Sequence, residues 1–226
     1  MNVFVLCTGR CGSTTLIEAC KHISNFTSDH ESRTGLLGSE RLNYPENHIE
    51  ADNRLTWVLG RLEKAYGDNA IYVHMKRDVK TTAASFVHRY DNGGIMSAYR
   101  SGGILMDLPL HADPMQVAMD YCDTVNSNVE AFLRNKTRKM EFRLENAKAD
   151  FVLFCELIGA EVDMPAALAE FDKAHNASSK RRPVSYRRKI KAMVSSLSSL
   201  RMPGRLFGYV CLAQALVANA VDVPCV

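Results

Sequence analysis

The chain has 226 residues, 46% of them hydrophobic, so it can bury one sizeable core and is expected to be a single domain. A formal net charge of +3 suits an anionic small-molecule ligand but is too mild to call for nucleic acid as partner. Seven cysteines appear without C-x-x-C pairs or a neighbouring His at metal-ligand spacing, which argues against a disulfide framework or a structural metal and for reduced thiols.

The chain enters its first element at once. Val3 to Leu6 is an apolar run that reads as a buried strand, with no charged stretch and apolar segment of signal-peptide length before it. Gly9 and Gly12 permit a tight turn, and Ser13, Thr14 and Thr15 open a helical pattern running to about His22. A strand, a glycine-bearing loop and a helix N-terminus make an anion site, because the first helical N–H groups lack intrahelical partners and the macrodipole favours negative charge there. Arg10 adds a fixed positive charge, and three hydroxyls add donors. The loop is not a Walker A sequence, which needs Lys directly after the second glycine; here Ser13 follows Gly12, so a conventional nucleoside-triphosphate hydrolase is disfavoured.

Asp29-His30-Glu31-Ser32-Arg33 follows helix one, where a second strand or its exit belongs. It reads either as a solvated charged turn or as a source of acid–base chemistry. Ile49 to Trp57 reads as the opening of a helix that runs to about Ala65, with Leu55, Val58, Leu59 and Leu62 on its buried face. Asp52 and Asn53 fall near its start, where capping is their commonest role and acceptor contact a second one. Ile71 to Met75 is another short strand, with Arg77 at its carboxyl end and Asp78 placed to cap the next helix. Ser85 lies eight residues after Arg77, about two turns into that helix. His88 falls on the same helix.

Residues 91 to 111 carry Gly93-Gly94 and Gly102-Gly103 and read as a loop suited to closing over an acceptor. A long helix is expected from Pro114 to about Asn135, a strand from Met140 to Leu144, and helices over about Ala147–Ile158 and Pro165–His175. Gly159 stands at a natural helix C-cap position. Residues 175 to 191 hold seven Lys or Arg, and Leu206 to Val221 is strongly apolar. The tail reads as a buried helix or an oligomer contact, and the basic segment before it leaves peripheral membrane association open.

Two of these segments together resemble the sulfotransferases that use 3'-phosphoadenylyl sulfate (PAPS). Arg10-Cys11-Gly12-Ser13-Thr14 is similar to their [KR]-x-G-[ST]-[ST] loop for the 5'-phosphosulfate. Arg77 and Ser85 match their strand-end Arg and helix Ser, which bind the 3'-phosphate. The resemblance covers roughly residues 1 to 175. It implies an α/β fold, a three-layer parallel sheet with helices on both faces of the P-loop-NTPase-like sulfotransferase type. It also implies a PAPS donor, held by Arg10, Cys11, Gly12, Ser13, Thr14, Thr15, Arg77 and Ser85, with no metal, and an acceptor bearing a hydroxyl group.

Arg at position 10, where the soluble small-molecule enzymes carry Lys, looks more like the carbohydrate and tyrosylprotein branches. Guanidinium keeps its proton, so Arg10 is expected to clamp charge rather than act as an acid. Glu31-x-Arg33 resembles the tyrosylprotein branch, making Glu31 the first choice for catalytic base and His30 the second. Arg33 is expected to orient Glu31 or the acceptor, with Asp52 and Asn53 as further acceptor contacts. Lys180 and Arg181 are candidates for the late basic loop over the donor. With no membrane anchor in view, the expected enzyme is soluble, cytoplasmic and of bacterial type. A divergent nucleotide-dependent phosphotransferase and a non-enzymatic anion or membrane-surface binder built on residues 180 to 191 are the rival readings.

Overall fold

The structure, a computed structural model, describes residues 1–109, 111–173 and 175, all within a first unit, Met1–Arg181. The expected basic segment, the apolar tail, Lys180 and Arg181 lie outside the described residues.

Five strands form one sheet: β1 (Val3–Cys7), β2 (Thr27–His30), β3 (His48–Ala51), β4 (Ile71–Lys76) and β5 (Lys139–Arg143), in the order β2-β3-β1-β4-β5. Every pairing is parallel. β1 is the central strand, and all five of its residues are buried, which is why it reads as a continuous apolar run.

Alternate residues of β1 feed two cores. Val3, Val5 and Cys7 pack with α1 (Ser13–Cys20), α6 (Ala147–Ile158) and α7 (Met164–Glu170). Phe4 and Leu6 pack with α2 (Leu59–Tyr66), α3 (Val79–Val87), α4 (Ile95–Ala98) and α5 (Pro114–Leu133). Helices therefore cover both faces of a parallel sheet, the α/β architecture expected from the sequence. Each large side chain so buried contributes roughly 1.5–3 kcal/mol.

Three of the seven α-helices among the described residues start on an aspartate cap. Asp78 accepts the Thr81 N–H at α3, Asp113 that of Met115 at α5, and Asp163 that of Ala166 at α7. Gly159, at φ +67, closes α6.

Two stretches differ from expectation. Residues 48–51 form β3 rather than the start of a helix; the helical pattern resolves into a 3-10 turn, Asn53–Trp57, and the short α2. Residues 91 to 111 are not simply a loop, since α4 runs into a wider turn at Tyr99–Gly103, anchored by the buried Met96 and Tyr99.

The chain leaves β1 toward β2 and β3, returns across the sheet to β4, and continues outward to β5. The strand order thus reverses between β1 and β4. A ligand crevice is expected outside the carboxyl ends of the strands at that point, where the loops carrying Arg10 and Arg77 emerge.

Candidate active site

The loop after β1 turns through left-handed backbone at Gly9 (φ +79), Arg10 (φ +59) and Gly12 (φ +95). Gly12 is the N-cap of α1, and a Cβ there would lie 2.6 Å from Leu144 Cδ1. A side chain at Gly9 would meet Asn53 Nδ2 at 2.7 Å. Glycine at positions 9 and 12 is favoured by the left-handed backbone, and a Cβ at either would also require the Asn53 or Leu144 side chain to shift.

This turn sends the Arg10 side chain to α3, where Nε donates to Ser85 Oγ at 3.0 Å. Arg77, the residue after β4, donates from Nη1 to the Arg10 carbonyl at 3.1 Å. The two segments singled out in the sequence meet at one place. On the other side of the loop, Ser13 Oγ lies 3.0 Å from His30 Nε2, at the end of β2.

Together these groups line a cleft of about 640 Å³, within the range of pockets that enclose small organic ligands. Gly9, Arg10, Gly12, Ser13, Thr14, Thr15, His30, Glu31, Asn53, Arg77 and Ser85 all face it. Among the described residues, no group of three or more His, Cys, Asp or Glu is arranged to hold a metal ion.

Cys11 does not line the cleft. It is fully buried beneath the loop, in the same core cluster as Cys7. The interaction between the two thiols, followed by N–H groups of the loop backbone, draws the Cys11 thiol below its usual range, whereas the same interaction and burial raise Cys7. Cys7, Cys11, Cys20, Cys122 and Cys155 are free thiols.

Glu31 stands directly after β2 in left-handed backbone (φ +54), its N–H bonded to the Ala51 carbonyl at 3.0 Å. Its carboxylate pairs with Arg54 Nη1 at 2.9 Å. Of the two roles expected of Arg33, orienting Glu31 or the acceptor, the first falls to Arg54: Arg33 donates to the Glu40 carbonyl and stacks over Tyr44. Asp52 takes the capping role favoured from the sequence and, with no exposed surface, not the acceptor contact: it accepts the Arg54 N–H at 2.7 Å and pairs with Arg41 at 2.5 Å. Burial pushes its carboxyl above the usual range even so. Asn53 does reach the cleft.

Several lining residues were not singled out for the site. Thr81 on α3 and His88 at its C-cap lie on the same face as Ser85, a spacing visible in the sequence. Leu144, Ala147, Phe171, Lys173 and His175 come from the far side of the sheet, and only the fold brings them in. Lys173 donates to Glu170 at 2.6 Å, with His175 Nε2 at 2.9 Å and His22 Nε2 at 3.4 Å from the same carboxylate. The Lys173 bond leads in drawing the Glu170 carboxyl down to about 2.

No family model matches this sequence, and no curated protein does either. Among solved structures, the chain is similar to the mouse sulfotransferase SULT7A1 complexed with PAP, at a TM-score of 0.52 and 14% identity, over 80% of this chain and 69% of that one. The fold is that of a sulfotransferase. At this identity the likeness establishes the sulfotransferase fold alone; chemistry has to be argued from the cleft. No helix among the described residues is long and apolar enough to cross a membrane.

Proposed function

We propose that this chain transfers the sulfuryl group of PAPS to a hydroxyl group of an acceptor. The observation that carries the reading is the meeting of Arg10, Ser85 and Arg77 at the strand-order reversal, beside the N-terminus of α1. Two guanidinium groups, a helix terminus and several hydroxyls suit a ligand with separate anionic groups. The structural neighbour was solved with PAP, the desulfonated donor, which agrees with this reading.

In the proposed reaction the bond between sulfur and the 5'-phosphate oxygen breaks as a bond from sulfur to the acceptor oxygen forms. Arg10, with the Gly12, Ser13 and Thr14 end of α1, balances charge on the sulfuryl oxygens and on the departing phosphate. Arg77 and Ser85 hold the 3'-phosphate, and PAP leaves. Glu31 accepts the acceptor proton, with Arg54 keeping its carboxylate aimed; His30 is the next base in line. In this reaction the guanidinium groups of Arg10 and Arg77 supply the positive charge. Free thiols along the core fit a cytoplasmic setting.

The test is ligand choice. PAP is expected to bind more tightly than ATP with Mg²⁺. A preference for ATP with Mg²⁺ would make the chain a phosphotransferase instead.

A further inference from the structure

Glu50 occupies the middle of β3 with no exposed surface. Its strand neighbours Ile49 and Ala51 are apolar, and an ionised carboxylate at such depth is costly unless its oxygens are satisfied. They are, and both oxygens are bonded by one residue, Ser32. Oε1 accepts the Ser32 N–H at 2.8 Å and Oε2 accepts the Ser32 hydroxyl at 2.6 Å. His48 Nε2 lies 3.2 Å from Oε2, and its Nδ1 lies 2.8 Å from Thr27 Oγ1.

Ser32 directly follows Glu31, whose left-handed backbone is unfavourable for a residue with a Cβ. A second chain of contacts holds the other end of Glu31. Its carboxylate meets Arg54, whose N–H is capped by Asp52; Asp52 pairs with Arg41, and Arg41 reaches the Tyr44 hydroxyl at 3.2 Å. Tyr44 stacks on His48, ring centroids 5.4 Å apart, which returns the chain to Glu50. Glu31 is thus gripped through its main chain from one side and its side chain from the other.

We propose that Glu50 is a positioning residue: by clamping Ser32 it holds the strained turn that aims the Glu31 carboxylate at Arg54 and the cleft. What that aim accomplishes rests on the sulfuryl-transfer reading; the clamp itself does not.

The guanidinium region of a ¹⁵N–¹H spectrum reads the clamp directly, with the Arg54 signal assigned by its loss in Arg54→Lys. Glu31→Gln, which breaks the pair, should move that signal to the position of an unpaired arginine. Ser32→Ala and Glu50→Gln should reproduce the shift although neither touches Arg54, and Ser32→Thr, which keeps the hydroxyl, should retain the wild-type signal. Titration with PAP on the same samples serves as the fold and donor-site control, with affinity expected within about twofold of wild type because no proposed donor ligand is altered. A wild-type Arg54 signal in both Ser32→Ala and Glu50→Gln would overturn the clamp. Failure of folded wild type to bind PAP, with the Arg54 shifts as expected, would overturn the donor reading and leave the clamp standing.

Discussion

Arg10 Nε and Ser85 Oγ lie 3.0 Å apart although 75 positions separate them in the chain. The contact joins the loop after β1 to the helix after β4, across the point where the strand order reverses. Each segment taken alone is ordinary α/β architecture. Joined, they put a guanidinium, a hydroxyl and a helix N-terminus around one cleft, with Arg77 fastened to the Arg10 carbonyl.

The loop should be intolerant of any Cβ at Gly12. Gly12→Ala combines φ +95 with a contact of 2.6 Å to Leu144 Cδ1. A loss of about 1–3 kcal/mol is expected in urea unfolding, together with weaker PAP binding. Adding Leu144→Ala should relieve the clash but not the backbone strain, so the double variant should show only partial relief in PAP binding. Unchanged stability and PAP binding in Gly12→Ala would contradict this packing.

Glu31→Gln should separate binding from chemistry. PAP affinity should stay near that of wild type, while sulfuryl transfer from PAPS falls by about 10²–10⁴-fold, the usual scale for a lost general base. Full turnover in Glu31→Gln would remove Glu31 from the mechanism and direct attention to His30.

Arg41→Met should expose the cost of burying Asp52. The pair has almost no exposed surface, and removing one partner from such a pair costs about 3–5 kcal/mol. The sign with pH follows from burial, which raises the Asp52 carboxyl in the folded state. A carboxyl raised on folding favours the folded protein at low pH, and that advantage is lost as pH rises through its folded value. Losing Arg41 raises Asp52 further, so the deficit of Arg41→Met should be larger at pH 8 than at pH 5 in urea unfolding.

Tyr121 offers an alkaline counterpart. Its hydroxyl donates to the Thr8 carbonyl at 2.7 Å, and burial holds its ionisation well above the ordinary value of 10.0. Below about pH 10 its contribution is intact; above that, the unfolded chain gives up the proton first and stability falls with rising pH. Tyr121→Phe should cost about 0.5–1.5 kcal/mol at pH 7 and make the decline above pH 10 shallower. Unfolding midpoints measured from pH 7 to 11 check both.

The parts of the fold that were legible in the sequence are those fixed by neighbours along the chain. Val3 to Leu6 is apolar without interruption because β1 is covered on both faces. Asp78 and Gly159 announce helix ends by local geometry. β3 was hidden because His48 and Glu50, both buried, break the apolar run that would have marked a central strand. Arg54 was hidden for another reason: it reaches Glu31 only through the pairing of β2 with β3, whereas Arg33 lies close in sequence but beyond a left-handed turn. Phe171 and Lys173 needed the return of α7 to the sheet before they could be placed at the cleft.

The most direct test of the central claim is calorimetric binding of PAP to wild type and to Arg77→Ala. Wild type should bind, and the variant should lose about 10–100-fold in affinity, the worth of a charge-assisted contact to a phosphate. Folded wild type that does not bind PAP, or a variant that binds it equally well, would contradict the account.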